Sequence, residues 1–501
     1  MTASSLMLTG TTFQAGTTTI LTGLCRYLSQ QGHSVAPFQA QNLTTRVYTT
    51  PQGLQLGYDQ ALQAWAAGIA PRLEHNPVLL YQQDHHSFEF ILGGASQQKM
   101  NLEAYREVSL VQSDRLITLA LERIKSDYQI LLCEGLGNPA DPYIPGFELG
   151  TMGLALTLQC PLVLVADMSL GGAFTQISGT LASLDPQARS LLRGIILNKH
   201  TSSAETLKSR IQQLEQHTQL PVLGAIPWLS ILEEREDDLG LLHRSAISAE
   251  LRTTIAVIRL PNIASFTEFD ALDIEPTVKL RYVTLEDSLG YPDAVILPSS
   301  RAIISDLIAL YQSPLCAELK QYVEGGGTIV GICGGFQMLG EVLTDPDGLE
   351  GPEGRFPGLG FLPIRTVYTG RQVRTMRQVN TLHPQVGLPV DGYEVQRGHT
   401  QLQQLQQHQM ACQSLFDDEA LGLVGGSTGD GLSVWGCHLH GLFENGSWRR
   451  MWLNRLRQQR GLKALPTGIG NYRFQRDSIL DQLADMAQTY LDVTRLLEGF
   501  L

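Results

Sequence analysis

Short apolar runs of four or five residues, each followed by a longer amphipathic stretch, recur through the first half of the chain: Ser5–Leu8, Ser34–Phe38, Gln129–Cys133, Leu162–Ala166, Gly194–Leu197 and Val222–Ala225. Strands that are apolar on both faces must be covered on both faces, so this pattern predicts a mainly parallel sheet wrapped by helices. The pattern starts again at "TIAVIRL" (Thr254–Leu260) and continues through "DAVILP" (Asp293–Pro298), a helix-like Leu315–Val323, "TIVGICGG" (Thr328–Gly335) and "SVWGCHLHGLF" (Ser433–Phe443). The expected fold class is therefore α/β with two doubly wound domains. A chain of 501 residues is also longer than one core normally serves.

Between the two patterns the run Glu233-Glu234-Arg235-Glu236-Asp237-Asp238 reads as a solvated linker. The expected division is residues 1–232, a linker 233–252, a second domain 253–447 and a helical segment 448–501 whose apolar spacing suits packing. A net charge of -13 gives the long-range field the wrong sign for nucleic acid or an anionic membrane. With no apolar run near bilayer length and no signal-type N-terminus, a cytoplasmic location is expected. Seven scattered cysteines with no CxxC pair suit reduced thiols better than disulfides or a structural metal.

Two stretches carry chemistry. In "GTTFQAGTTT" (Gly10–Thr19) a strand runs into a helix through the glycines and hydroxyls of a phosphate-binding loop, but Thr17 stands where such a loop has its lysine. On these residues alone, a tight glycine turn capped by threonines competes closely with nucleotide binding. In "TIVGICGGFQMLG" a β-rich run stops at Gly331-Ile332-Cys333-Gly334-Gly335 and a helix-like segment follows. Glycines around a central cysteine allow a sharp strand-to-helix turn that exposes the thiol, and a helix N-terminus favours thiolate. A base is offered by His438 and His440 in "GCHLHGLF". That run reads as a strand, whose period-two alternation puts both on the same face, and spacing does not choose between them.

"GICGGFQMLG", "GYEVQRGHT" (Gly392–Thr400) and "HLHGLFEN" (His438–Asn445) resemble the glutamine amidotransferase domain of the cobyric acid synthase family. "FQAQNL", "DQALQAWAAG", "NPVLL", "EGLGNPAD", "ADMSLGGAF" and "GIILNK" are similar, in order and spacing, to that family's N-terminal synthetase half, and "IAVIRLPNIASFTEFDAL" (Ile255–Leu272) to its domain junction. The resemblance implies a P-loop-like ATP-dependent domain followed by a class I-type amidotransferase domain. It makes Cys333 the nucleophile and His440 the base. Many class I amidotransferases place a glutamate two residues after this histidine; Leu442 stands there, so a third member of the triad stays unassigned.

The resemblance also implies ATP and Mg²⁺ as cofactors, glutamine and a corrinoid as substrates, Gly10, Gly16, Thr17 and Thr18 as the nucleotide site and Glu134 as a metal ligand, with Asn42 and Gln60 retained beside them. The match departs from the family's usual pattern at Gln14, which replaces an acid, and at Thr17, Gln39, Tyr58, Tyr81 and Leu170, which all replace cations. Lys199 and Arg46 are candidates to restore charge. The expected activity is cobyric acid synthesis, the amidation of peripheral carboxylates of adenosyl-cobyrinic acid a,c-diamide. Two alternatives stay open: another carboxylate acceptor, or a glutaminase or scaffold whose first domain does not hydrolyse nucleotide.

Overall fold

The computed structural model describes residues 3–44, 46–50, 54–82, 88–100, 110–140, 150–169, 171–229, 252–264, 267–402, 412–425 and 433–498. The charged linker run and Leu170 lie outside the described residues. The chain divides into two compact units, one of Met1–Leu239 with Arg476–Leu501 and the other of Gly240–Gln475. Past residue 448 helix is present in Gly446–Gln459, Tyr472–Tyr490 and Val493–Leu496, with residues 460–471 non-helical, and the part from Arg476 onward belongs to the first unit.

In the first unit the strands β1 (Ser4–Gly10), β2 (Val35–Phe38), β3 (Ile130–Glu134), β4 (Leu162–Asp167), β5 (Leu192–His200) and β6 (Val222–Pro227) form a parallel sheet in the order β6-β5-β4-β1-β3-β2. Their side chains alternate between two cores. Leu6, Leu8, Ile130, Leu132, Val163 and Val165 enter one, while Met7, Leu131, Cys133, Leu162 and Leu164 enter the other. This two-sided burial is why the strands read as unbroken apolar runs. Helix α1 (Thr17–Gln30) begins directly after Gly16, whose φ of 102 turns the chain into it.

The core that covers α1 also takes Leu480, Leu483, Met486 and Ala487 from the C-terminal helix Tyr472–Tyr490. Gly23 permits the close approach: a Cβ there would lie 2.5 Å from the Leu483 carbonyl oxygen. A four-stranded sheet, Gln41–Thr44 with Val78–Gln82, Phe88–Leu92 and Ala95–Met100, flanks the central one and was not evident in the apolar pattern.

In the second unit β7 (Thr253–Arg259), β8 (Val278–Thr284), β9 (Ala294–Leu297), β10 (Thr328–Ile332), β11 (Gln413–Ser414), β12 (Gly422–Gly425) and β13 (Val434–Cys437) run in the order β8-β7-β9-β10-β13-β12-β11. The first five in that order are parallel, and the last two turn antiparallel. The expected single strand Ser433–Phe443 does not exist. It breaks after Cys437, and Leu439–His440 instead pairs antiparallel with the long strand Pro389–Leu402 of a second sheet, His440 opposite Tyr393. His438 is the residue at which the chain changes sheets, so the expectation that His438 and His440 share one strand face is corrected.

Candidate active site

At the end of β10 the chain reverses at Cys333, whose φ of 50 and ψ of -106 are unusual for any side-chain-bearing residue. The short helix Gly334–Met338 follows. The turn closes only because its neighbours lack a Cβ: one on Gly335 would sit 2.0 Å from the Leu297 carbonyl oxygen, and one on Gly331 would sit 2.6 Å from Phe336 Cα. Cys333 N–H donates to the Cys437 carbonyl at 2.7 Å, which ties the turn to β13. Cys333 Sγ lies 3.3 Å from the Val395 carbonyl oxygen, to which it donates when protonated. That carbonyl belongs to "GYEVQRGHT", which explains how a segment 62 residues away forms part of the same site.

His440 is brought beside Cys333 and is 5% exposed. Its Nδ1 lies 2.9 Å from Glu268 Oε2, and the Gly441 N–H donates to Glu268 Oε1 at 2.7 Å. Tyr393 stacks on the imidazole, with ring centroids 4.9 Å apart. Burial alone would push the thiol up and the imidazole down. Their mutual attraction reverses both: the imidazole of His440, aided by His438, holds the Cys333 thiol well below its usual range. The thiolate and then the Glu268 carboxylate raise His440 well above its own. The pair therefore favours thiolate and imidazolium. The helix after the turn has only five residues, so the imidazoles rather than a long helix dipole account for the acidic thiol.

Glu268 is the residue that sequence reasoning missed. The site lacks a carboxylate two residues after its histidine, and Glu268 supplies one from 172 residues upstream. In the sequence it is one of two acids in "SFTEFDAL", beside Asp270, with nothing there to tie it to the histidine. His438, fully buried, lies edge-on to Phe336 with ring centroids 5.0 Å apart. Its ring nitrogens have no hydrogen bond among the described residues, though the ring is close enough to Cys333 to favour thiolate. Glu350 and Arg397 complete the surroundings, with Arg397 Nη1 3.2 Å from Glu350 Oε1. Burial raises Glu350 to about 7, against the pull of the Ile303 N–H and Arg397, and the nearby thiolate adds to the rise.

In the first unit Gly10, Thr17, Thr18 and Glu134 line a cavity of about 330 Å³, while Gly16 caps the start of α1 beside it without lining it. Gly10 is required where it stands, since a Cβ would lie 2.4 Å from the Thr12 carbonyl oxygen. Thr17 Oγ1 and Thr18 Oγ1 donate to Glu134 Oε1 at 3.0 and 2.6 Å, and Gln63 Nε2 donates to Glu134 Oε2 at 2.7 Å. Asn42, Gln60 and Gln39 form a chain of amides, Asn42 Nδ2 to Gln60 Oε1 at 2.8 Å and Gln60 Nε2 to Gln39 Oε1 at 2.6 Å. Among the described residues lining the cavity there are two carboxylates, Asp59 and Glu134, and no Lys, Arg or His. The Arg46 guanidinium lies 4.1 Å over the Tyr58 ring.

No side chain caps the N-terminus of the 14-residue α1. Its first-turn N–H groups can therefore be satisfied by a phosphate. The hydroxyl of Thr18 and the carboxylate of Glu134 are hard oxygen donors of the kind Mg²⁺ takes. On donor chemistry the residues fit a magnesium nucleotide, held without a loop lysine.

Residues 254–448 match the family of CobB/CobQ-like glutamine amidotransferase domains, and residues 4–236 match an AAA domain family. A cobyric acid synthase from Nostoc punctiforme is 45% identical over 495 residues, covering 98% of this chain and 99% of the relative. A cobyric acid synthase from Gloeothece citriformis is 46% identical over 495 residues, with the same coverage of 98% and 99%. Among solved structures, PurLQS from Thermotoga maritima aligns with 46% of this chain and 99% of its own at 16% identity and a TM-score of 0.29, a likeness too low to argue from.

Proposed function

The chain belongs to the cobyric acid synthase family, and on that premise we propose that it is a glutamine-dependent amide-forming ligase of cobalamin biosynthesis, with Cys333 as nucleophile, His440 as proton carrier and Glu268 as the carboxylate that orients it. The observation that carries the reading is the buried line from Glu268 through His440 to a thiol at a strained strand-to-helix turn. Its acceptor is adenosyl-cobyrinic acid a,c-diamide, whose peripheral carboxylates become amides.

The Cys333 thiolate attacks the carbonyl carbon of the glutamine side-chain amide. His440, protonated in the resting pair, gives its proton to the departing nitrogen, which leaves as ammonia and a γ-glutamyl thioester remains. His440 then removes a proton from water as its oxygen attacks the thioester; glutamate and the thiol are released. Glu268 fixes the tautomer by accepting at Nδ1, so that Nε2 does the proton work, and it stabilises the imidazolium. Glutamine carries a zwitterionic α-carbon end, and Arg397, held by Glu350 whose carboxyl lies close enough to Cys333 to feel its charge, offers a cation for the α-carboxylate.

In the first unit, the α1 first-turn N–H groups would hold the phosphates of ATP and Thr18 with Glu134 its Mg²⁺. The nucleotide supplies the phosphoryl group that gives a carboxylate a leaving group, without which ammonia does not displace oxide. Residues 1–232 are read as this synthetase domain, 233–252 as a linker, 253–447 as the amidotransferase domain and 448–501 as a C-terminal helical segment, whose part from Arg476 onward belongs to the first unit. The absence of cations among the described residues of the lining favours a second reading, in which the first unit binds nucleotide without turning it over.

One assay separates these. Purified protein with glutamine, Mg-ATP and the a,c-diamide should release glutamate and phosphate and raise the corrinoid mass by amidation. Glutamate release with an unchanged corrinoid and no phosphate would leave only a glutaminase. Phosphate release with an unchanged corrinoid would point to a different acceptor.

A further inference from the structure

Gln14 in the phosphate loop and Lys199 near the end of β5 both have left-handed backbone, with φ of 67 and 57. They are joined: Lys199 Nζ donates to the Gln14 carbonyl at 3.0 Å and, on its other side, to Asp167 Oδ2 at 2.9 Å. The preceding residue makes the matching contact, as Asn198 Nδ2 donates to the Ala15 carbonyl at 2.9 Å, and Lys199 N–H closes back on Asn198 Oδ1 at 3.0 Å. Two consecutive loop carbonyls are thus drawn toward one strand end. In a planar trans peptide the carbonyl and the following N–H point in opposite directions. Holding the Gln14 and Ala15 carbonyls therefore turns the Ala15 and Gly16 N–H groups away from β5, in a left-handed loop of the kind that forms anion-binding nests.

We propose that Lys199, together with Asn198, is the positioning group of the phosphate loop: its charge is spent on the loop backbone and Asp167, and the loop so fastened binds Mg-nucleoside triphosphate through its amides. This assignment rests on the reading of the first unit as a nucleotide site. It accounts for a loop that keeps its shape with Thr17 in place of a lysine. It also answers which of the two candidate cations serves the loop, since Arg46 lies over Tyr58 instead.

The test compares wild type, Lys199→Met, Lys199→Arg and Asn198→Ala by Mg-ATP titration, by amide hydrogen exchange over residues 10–18, and by ammonia-driven amidation at varied ATP. Lys199→Met should weaken Mg-ATP by roughly 10- to 100-fold, the scale of a charged hydrogen bond. It should also speed loop exchange and raise KM for ATP with kcat at saturation kept within a few-fold. Lys199→Arg should restore most of the affinity. Asn198→Ala should weaken binding too, and its effect should not add to that of Lys199→Met, because both hold one loop.

A fall in kcat with unchanged Mg-ATP affinity would overturn the proposal and put Lys199 on the transferring phosphate. A lower melting temperature with unchanged affinity in the folded fraction would overturn it in favour of a purely structural ion pair. If wild type binds no Mg-ATP, the nucleotide reading itself falls. The exchange comparison then still decides whether Lys199 fastens the loop.

Discussion

At the scale of single residues, the buried pair sets the expectations. Cys333→Ser should abolish glutamine-dependent amidation, because an alcohol is a far poorer nucleophile than a thiolate, and should leave ammonia-dependent amidation largely intact. Glutamate release that persists in this variant would make the thiol structural. His440→Ala should lower glutamine hydrolysis by roughly a hundredfold or more, the scale of a lost general base, and His438→Ala by much less. Glu268→Gln tests the carboxylate. Removing its negative charge lowers the His440 pKa, so the imidazolium should be lost at lower pH, and the alkaline limb of the glutaminase profile should move toward neutrality. The acid limb, set by a thiol already held below its usual range, should move little. An unmoved alkaline limb would deny Glu268 its role. The turn at Cys333 was legible because its glycines sit in one compact motif, whereas His440 was set apart from His438 by the family resemblance and not by spacing. Glu268 was not legible, because only the fold brings its segment to the histidine.

At the scale of elements, the parallel strands were legible because burial on both faces writes them as apolar runs, as in Leu162–Asp167. The long antiparallel hairpin of Ile364–Asn380 and Pro389–Leu402 was not. In "IRTVYTGRQVRTMRQVN" Val373, Met376 and Val379 recur every third residue rather than every second, and among the described residues Val367 and Met376 stay exposed, Met376 at 72%. The break after Cys437 was hidden because both halves are buried and apolar, so nothing in composition marks the change of sheet. The tight turn at Cys333 makes a sharp prediction at this scale. Gly335→Ala would drive a methyl group to 2.0 Å from a backbone oxygen that cannot move without shifting β9. The expected loss of stability is more than ~3 kcal/mol, in the range that only overpacking or strain in a core reaches. Urea unfolding of this variant followed by Trp fluorescence reads it directly, through the buried cluster of Trp435, Trp448 and Trp452. A loss under 1 kcal/mol would mean that the turn relaxes freely.

At the scale of the whole molecule, the first unit is built from both ends of the described chain. Leu480, Leu483, Met486, Leu491 and Leu496 are buried against α1 and its sheet. At roughly 1.5 to 3 kcal/mol for each such side chain, their loss rivals the ~5 to 15 kcal/mol that holds a domain together. Truncation after Gln475 should therefore unfold the first unit and leave the second able to hydrolyse glutamine, measured as glutamate release without Mg-ATP binding. A truncated chain that still binds Mg-ATP at wild-type strength would show that the segment is dispensable. The same arrangement has a consequence for synthesis. The helix that follows the phosphate loop leaves the ribosome before Gly240–Gln475, and the residues that cover it emerge only after that segment has been made. A prematurely terminated chain can thus carry a finished glutaminase but never a finished partner for it, and its uncovered leucines mark it for quality control before it can release ammonia to no purpose.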